Sequence, residues 1–164
     1  MKLAELVGPL KQLDVFSTLS DEQLMMIINA ADRVVFRPGQ VMIEDGQSGD
    51  AAYFIVVGLV ERLAQPEIGR SREHFGHGIL VGEMAMLVDH VHASTVRAKS
   101  EVKALKISRE MLYEIMGENP AIADRFIQTI KSRLSVMVER IKKIDETLEA
   151  AENVSYETSM MATH

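Results

Sequence analysis

The chain has 164 residues, a formal net charge of −6 at pH 7 and no cysteine, and 47% of its residues are hydrophobic. This length and apolar content support one core with an appended element, whereas two full domains would be cramped. The missing cysteine excludes disulfides and thiolate chemistry, and the acidic charge with 5% aromatic residues argues against direct binding of nucleic acid. The sequence shows neither a signal peptide nor an apolar run long enough for a membrane span, so we expect a cytoplasmic protein without a membrane partner.

Residues 1–32 predict a helical lead-in. Ser20 is a favourable N-cap, and Asp21 and Glu22 place negative charge in the first turn that follows it. Apolar residues then recur at helical spacing, namely Leu24, Ile27, Ile28 and Ala31. This spacing indicates a short amphipathic helix.

Residues 33–107 predict a β-sandwich. Short β-rich runs alternate with turn formers, among them Pro38-Gly39, Ser48-Gly49 and Gly58. The runs are 34–36, 41–43, 52–57, 60–63, 94–98 and 102–107. Many short strands separated by turns are typical of a sandwich or barrel. The polar stretch 66–78, which carries Arg70 and Arg72, predicts a mobile hairpin tip.

Residues 108–150 predict two helices, of which the second carries a coiled-coil seam. Ser108 caps a helix that ends near Gly117, and Asn119-Pro120 begins the next. Apolar residues then alternate at spacings of three and four: Ile127, Ile130, Leu134, Met137, Ile141, Ile144 and Leu148. A period of 3.5 over three heptads favours a parallel homodimer, in which Arg140 and Asp145 could pair between chains. The alternative is that the seam packs on the chain's own sandwich.

Residues 151–164 predict a disordered tail. Asp145, Glu146, Glu149 and Glu152 put negative charge near the expected C-terminal end of the long helix, where the macrodipole disfavours it. We therefore expect fraying beyond Leu148 and assign no function to the tail.

A motif between the predicted fourth and fifth strands carries the main functional signal. Gly82-Glu83-Met84-Ala85-Met86-Leu87 opens a short apolar turn, and His92-Ala93-Ser94-Thr95 returns beside it nine residues after Glu83. Backbone N–H groups of such a turn can converge on an anion. The combination predicts a site for a phosphorylated sugar.

These residues resemble the phosphate-binding cassette of cyclic nucleotide-binding domains, as in catabolite activator (Crp/Fnr) regulators, cyclic nucleotide-dependent kinases and gated channels. The resemblance extends over roughly residues 10–148 and includes Phe36, Pro38, Gly39 and Gln40 and the spacing of Gly46, Asp50, Tyr53, Phe54, Ile55, Gly58 and Val60. It implies a mainly β fold with flanking helices: a double-stranded β-helix (jelly-roll) sandwich with an N-terminal helical lead-in and a long C-terminal dimerisation helix. The helix-turn-helix domain of the DNA-binding members is expected to be missing.

The resemblance also implies site residues. Glu83 would bind the ribose hydroxyl, and the backbone of residues 82–86 would bind the phosphate. Ala93 and Ser94 would contact the far side of the phosphate, and residues of the long helix would cover the base. The full implied set is Gly82, Glu83, Met84, Ala85, Met86, His92, Ala93, Ser94, Thr95, Arg133, Met137 and Val138.

His92 occupies the position of the family's phosphate-pairing arginine. A histidine is mostly neutral at pH 7, so this replacement removes a permanent countercharge and is expected to weaken binding roughly ten- to a hundredfold. Arg62, Arg70 and Arg72 of the neighbouring hairpin are alternative sources of positive charge. The base cover of Met137 and Val138 offers apolar contact without a hydrogen-bond code, so base selectivity is expected to be poor.

A cupin-type metal site is a further reading, because His74, His77, His90 and His92 fall within nineteen residues. No carboxylate follows His92 at the expected spacing, which favours surface histidines and no metal. The sequence also lacks a Gly-x-Ser-x-Gly elbow, a Walker loop and a dinucleotide fingerprint, so we expect a protein that is not an enzyme.

Two functional hypotheses follow. In the first, a cyclic nucleotide such as cyclic AMP or cyclic GMP, or a related anionic ligand, binds the cassette as a regulatory ligand and shifts the long helix, with no other cofactor. In the second, a degenerate scaffold has lost ligand binding and the coiled coil dimerises the chain for an unknown downstream protein partner. The sequence leaves the natural ligand and the output partner open.

Overall fold

The computed structural model describes residues 2–64 and 71–162, which form antiparallel β-sheets with helices before and after them. The chain divides into two compact units, Met1–Ala123 and Asp124–His164. All the β-strands belong to the first unit. The predicted fold class is confirmed.

Short helices precede the first strand: a 3-10 helix at Leu3–Leu6, α1 at Val7–Lys11 and α2 at Asp21–Ala30. The predicted N-cap of α2 is confirmed, because Ser20 Oγ accepts a hydrogen bond from Gln23 N at 3.2 Å and Gln23 Oε1 accepts one from Ser20 N at 3.0 Å. These reciprocal bonds satisfy backbone donors that the helix itself leaves unpaired. The apolar face of α2 is buried as its spacing indicates.

The strands form two four-stranded sheets and one two-stranded pair within the described residues. They are β1 (Asp32–Phe36), β2 (Val41–Ile43), β3 (Ser48–Gly49), β4 (Ala51–Val57), β5 (Val60–Ala64), β6 (Ser71–Phe75), β7 (Leu80–Val81), β8 (His90–Val91), β9 (Thr95–Ala98) and β10 (Val102–Ser108). The sheet orders are β1-β10-β4-β7, β2-β9-β5-β6 and β3-β8. Every pairing is antiparallel.

Two segments that the sequence predicts to be a turn and a mobile hairpin tip contain strands. Ser48-Gly49, expected as a turn, forms β3 and pairs with β8. Part of the expected mobile hairpin forms β6, which pairs with β5 from Val60↔Phe75 to Ala64↔Ser71. Phe75 packs on the core, and this packing stabilises the strand. The residues beside Phe75 are polar, so the sequence pattern does not indicate a strand here. The rest of the predicted tip, residues 65–70, lies outside the described residues.

The core consists of apolar side chains from both four-stranded sheets, mostly at alternate strand positions, except that the consecutive residues Met42 and Ile43 are both buried where the register of β2 shifts. Its buried members are Met42, Ile43, Ile55, Val60, Val81, Val96, Ala98, Val102 and Ala104. Because successive side chains of a strand point to opposite faces, Val60 and Arg62 share the core-facing side of β5, and Glu61 and Leu63 share the other.

Glu61 is a buried charge on that other face, with 2% of its surface exposed. Arg97 lies directly opposite on β9 and donates Nε to Glu61 Oε2 at 2.9 Å, while His74 Nε2 lies 3.5 Å from Oε1. The hydrogen bond from Arg97 lowers the pKa of Glu61, although burial opposes this effect. The carboxylate is therefore charged and paired across three strands.

Helices α3 (Glu83–Leu87), α4 (Arg109–Glu118) and α5 (Pro120–Met161) complete the structure. The predicted cap of α4 is present, since Ser108 Oγ accepts a hydrogen bond from Met111 N at 3.2 Å. No helix within 2–64 or 71–162 is long and apolar enough to span a membrane.

Helix α5 is longer than the sequence predicts. Residues 151–161, which were expected to belong to a disordered tail, are helical. The chain contains no glycine or proline after Pro120, and Ala150 and Ala151 favour helix. The carboxylates of residues 145–152 thus lie inside the helix and not in its last turn, where the macrodipole penalty would apply.

Gly58 generates a prediction about stability. Its φ is 109°, and a Cβ there would overlap the carbonyl oxygen of Glu101 and lie 2.9 Å from Val102 Cα. We expect Gly58→Ala to lower the free energy of unfolding by about 2 kcal/mol or more, because the β4–β5 turn would have to move.

Chemical denaturation measures this effect, with Gly8→Ala as the control. Gly8 lies in α1, and nothing is within 4 Å of the Cβ that alanine would add. Gly8→Ala should leave stability equal or slightly higher. Equal stabilities of the two variants would contradict the requirement for glycine at position 58.

Candidate functional site: the cassette of residues 82–95

Gly82 begins the cassette and adopts a conformation that favours glycine. Its φ is 74°, and a Cβ at this position would lie 2.9 Å from Ile43 Cδ1 and 3.1 Å from Ala51 O. The chain can therefore turn sharply from β7 into α3 while it passes close to the β2 and β4 strands.

Helix α3 is anchored by its apolar side. Ala85, Met86 and Leu87 are buried, whereas Met84 is 43% exposed. Glu83 is half-buried, and its Oε1 atom is buried. The predicted ribose-binding carboxylate thus belongs to the first turn of α3, and the buried residues Ala85, Met86 and Leu87 hold this helix in place.

The second half of the cassette returns along β3. His92 N donates to Gln47 O at 3.0 Å, and Gly46 N donates to His92 O at 2.8 Å, next to the β3–β8 pairing. The backbone of His92 is therefore fixed on both sides by the segment that the sequence interpretation treated as a turn.

The imidazole of His92 lies between β3 and α3. A Cβ added to Gly49 would overlap Nε2 of His92 and lie 2.9 Å from Ala85 Cβ, and one added to Gly82 would lie 3.6 Å from His92 Cε1. The structure thus brings together three of the predicted site residues, Gly82, Ala85 and His92. Gly49 was missed, because the sequence contains no signal that a glycine before β4 makes room for a side chain from a loop 43 residues later.

Burial lowers the pKa of His92 below its ordinary value of 6.5, and the neighbouring His90 adds to this effect. The two imidazole rings are arranged edge to face, with their centroids 5.7 Å apart. Removal from water and a like charge nearby both disfavour the protonated form. His92 is therefore predominantly neutral at pH 7.

A cavity of about 200 Å³ lies beside His92, and Ile43, Gln47 and Tyr53 contribute to its walls. Glu44 and Asp50 also line it, whereas its lining contains no lysine or arginine. The volume is below the roughly 300–1,000 Å³ of typical small-molecule pockets, so the cavity can enclose only part of a ligand of that size. A phosphate entering it would meet two carboxylates and an imidazole in place of a permanent cation.

The remaining cassette residues have other surroundings. Ala93 is exposed and Ser94 is half-buried. Thr95 Oγ1 accepts a hydrogen bond from Asp45 N at 3.1 Å, so this hydroxyl helps to hold the turn after β2. Arg133, Met137 and Val138, the predicted base cover, belong to the unit Asp124–His164, and their role stays a prediction.

The alternative cations of the hairpin lie on different faces. Arg62 is on the core-facing side of β5, opposite Val96, and its guanidinium lies 3.5 Å from Glu73 and 4.9 Å from the Phe75 ring centroid. Arg72 is opposite Leu63 and therefore on the other face. Arg70 lies outside the described residues. Arg62 is thus the described hairpin arginine on the core-facing side of β5, where it stays partly exposed and Glu73 offsets its charge.

Within residues 2–64 and 71–162, no group of three or more His, Cys, Asp or Glu side chains is arranged to hold a metal ion.

Two side chains that the sequence interpretation missed join α4 to the cassette helix. Tyr113 donates its hydroxyl to Leu87 O at 2.6 Å, and Arg109 Nη1 donates to Ala85 O at 3.4 Å. The last carbonyls of a helix have no partner within the helix, so these bonds satisfy acceptors at the end of α3. No sequence signal could have identified them, because the contact joins residues 24 and 26 positions apart.

Fold and site together define an antiparallel sandwich with a glycine-led cassette, which is a class of ligand-binding regulatory domain. The family model for the cyclic nucleotide-binding domain matches residues 33–119. The chain therefore belongs to the cyclic nucleotide-binding domain family, and the resemblance inferred from its sequence is confirmed.

The chain is 31% identical over 108 residues to a cAMP-dependent protein kinase regulatory subunit of Emericella nidulans, which covers 66% of this chain and 26% of that relative. It thus spans about a quarter of that protein's length.

The chain is also similar to solved structures, including the following two. The N-terminal domain of a transcriptional regulator from Streptomyces coelicolor has a TM-score of 0.73 at 22% identity, covering 81% of this chain and 94% of that one. A cyclic nucleotide-binding-like protein from Brucella abortus has a TM-score of 0.61 at 29% identity, covering 68% and 97%.

The lowered pKa of His92 generates a prediction about pH. Between the folded-state pKa and 6.5 the unfolded chain binds more protons at this residue, so stability rises with pH there. The contribution is complete above about pH 6.5 and is lost as the pH falls through this window. We expect His92→Gln to reduce the loss of unfolding free energy between pH 7 and pH 5, as measured by urea denaturation.

His77→Gln is the matched control, because His77 is an exposed histidine that does not line the cavity beside His92. The difference between each variant and the unmodified protein removes the contribution of the carboxylates, which titrate in the same range. An identical pH profile for His92→Gln and His77→Gln would contradict the assignment.

Proposed function

We propose that this chain is a regulatory domain whose cassette binds a cyclic nucleotide or a related anionic ligand and signals through its C-terminal helices. It acts as a binding module without catalysis, and the nucleotide is its regulatory ligand. Family membership supports the ligand class, and the kinase regulatory subunit of Emericella nidulans is named as cAMP-dependent.

The closeness of His92 to the turn at Gly82, which Glu83 follows directly in the chain, is the observation that carries this proposal. Gly82 allows α3 to begin with its backbone close to β2 and β4, and His92 lies against the same turn. Donors for a phosphate and an acceptor for a ribose hydroxyl therefore come from one short segment. The neutral imidazole makes the proposed affinity low at pH 7, since a charge-assisted bond requires His92 to take up a proton.

The hydrogen bonds of Tyr113 and Arg109 support a route from the cassette to the helices. Both side chains lie on α4 and bind carbonyls of α3, so a movement of α3 changes their geometry. Helix α4 continues through Asn119 into α5, where Asn119 Nδ2 donates back to Ile115 O at 3.1 Å. A ligand that prefers one position of α3 would thereby shift the population of helix arrangements.

Calorimetric titration with cyclic AMP and cyclic GMP at pH 6 and pH 8 tests the ligand. We expect stronger binding at pH 6, because an anion raises the pKa of His92 and binding then takes up a proton. His92→Arg should bind about ten- to a hundredfold more tightly and lose this dependence on pH, since arginine is permanently charged.

His77→Arg adds the same charge at an exposed position outside the cavity lining and should leave affinity unchanged. Glu83→Ala in the His92→Arg background should weaken binding if the carboxylate contacts the ribose. Absence of heat at millimolar ligand for both the unmodified chain and His92→Arg would contradict ligand binding and favour the scaffold function.

A dimerisation module is the second candidate function, and exposed apolar residues on α5 favour it. Ile127, Leu134, Met137, Ile141, Ile144 and Leu148 are each 47–60% exposed in the single chain. An apolar stripe of period 3.5 on a long helix is typical of coiled coils. We propose that two copies associate through this seam, with or without a ligand at the cassette.

Ile141→Glu tests the seam. A buried isoleucine contributes about 1.5–3 kcal/mol, so a carboxylate at its centre should convert a dimer to a monomer in sedimentation equilibrium. Lys142→Glu is the control, because it changes the charge more but lies next to the seam and outside it. A monomeric unmodified chain, or equal behaviour of the two variants, would contradict dimerisation through this face.

A further inference from the structure

A second cavity of the β-sandwich unit lies away from the cassette, where the 3-10 helix meets strands β1, β4 and β10. Its volume is about 450 Å³, which is within the range of ligand-binding pockets. We call it the β1–β10 groove, and its lining includes Leu3, Leu6, Arg33, Val35, Val57 and Lys103.

The lining of the β1–β10 groove has an unusual composition. Apart from Arg33 and Lys103, every lining residue is leucine, valine or alanine. Aromatic, hydroxyl and amide side chains are absent from this lining. A ligand with hydroxyl groups or ring nitrogens would bury them without partners, which is unfavourable. The surface therefore suits an aliphatic chain.

The two cations define the other end of the ligand. Arg33 is opposite Leu105 and Val35 is opposite Lys103, so Arg33 and Lys103 are diagonal neighbours on adjacent strands. Such neighbours have Cβ atoms about 7–8 Å apart or somewhat less. In the described part of the chain neither side chain makes an ion pair or hydrogen bond, and no carboxylate lines the groove. Both side chains are exposed, and two positive charges with no carboxylate in the groove lining favour an anion at this place.

Exposure of apolar surface supports occupancy of the groove. Val35 is 58% exposed and Val57 is 48% exposed, although both flank buried residues of the same sheet. Covering these side chains with an alkyl chain removes apolar surface from water, which is the favourable contribution to binding.

We propose that the β1–β10 groove binds a single-chain alkyl carboxylate, with the alkyl chain along Leu6, Val35 and Val57 and the carboxylate between Arg33 and Lys103. This site is separate from the cassette and does not depend on nucleotide binding. It makes the domain able to respond to a free amphipathic anion of the fatty-acid class.

Dodecanoate below its micellar concentration is the probe. Titration followed by methyl NMR should give saturable shifts of the Leu6, Val35 and Val57 methyl groups. The uncharged analogue 1-dodecanol should bind at least about tenfold more weakly, because it cannot accept charge-assisted bonds as an anion does.

Lys103→Glu should weaken dodecanoate binding at least about tenfold, whereas Arg37→Glu, which makes the same charge change at an exposed residue outside the groove, should stay within about twofold. Circular dichroism checks that both variants fold. Three results would overturn the proposal: no saturable binding, methyl shifts confined to other parts of the chain, or equal weakening by the two variants. Self-association that Lys103→Glu abolishes, without any effect of dodecanoate, would assign the groove to a second copy of the chain and also overturn it.

Discussion

The close contact of His92 with Gly49 is the constraint on which the cassette geometry depends. A side chain at position 49 would occupy the volume of the imidazole, and it would also approach Ala85 of α3. Because glycine has no side chain, β3 can lie in close contact with α3 and with the loop after β8. The hydrogen bonds between His92 and residues 46 and 47 then hold the loop in place. Without this approach the two halves of the cassette would be neighbours in sequence only.

The end of α3 depends on a different set of contacts. Its apolar residues are buried in the sandwich, while its terminal carbonyls receive hydrogen bonds from Tyr113 and Arg109. Arg109 also follows Ser108 directly, at the junction of β10 and α4, and its backbone N donates to Asp50 O at 2.7 Å. Asp50 lies between β3 and β4, so the same junction touches the segment that holds His92. The cassette and the start of the C-terminal helices are therefore parts of one bonded network.

The sequence predicts the features that local chemistry determines. The cap at Ser20, the strand at Val41–Ile43 and the start of α5 at Pro120 are confirmed, because capping, β propensity and proline geometry act over a few residues. The strand at Ser71–Phe75 was not predicted, because its polar residues do not indicate a strand. Its pairing with β5 and the packing of Phe75 on the core stabilise it. The role of Gly49 and the bonds of Tyr113 join distant segments, so periodicity carries no information about them.

The distribution of charge determines what kind of ligand the proposed sensing site would discriminate. Glu44 and Asp50 line the cavity beside His92, and Arg62 already lies near Glu73. A phosphodiester therefore gains its full countercharge only when His92 takes up a proton, and burial of the imidazole makes that proton uptake unfavourable at pH 7. A permanent arginine would remove this cost and with it the link between affinity and pH. Because the cost falls on the charge of the ligand and not on its base, the proposed site would respond most strongly to ligand charge in combination with pH.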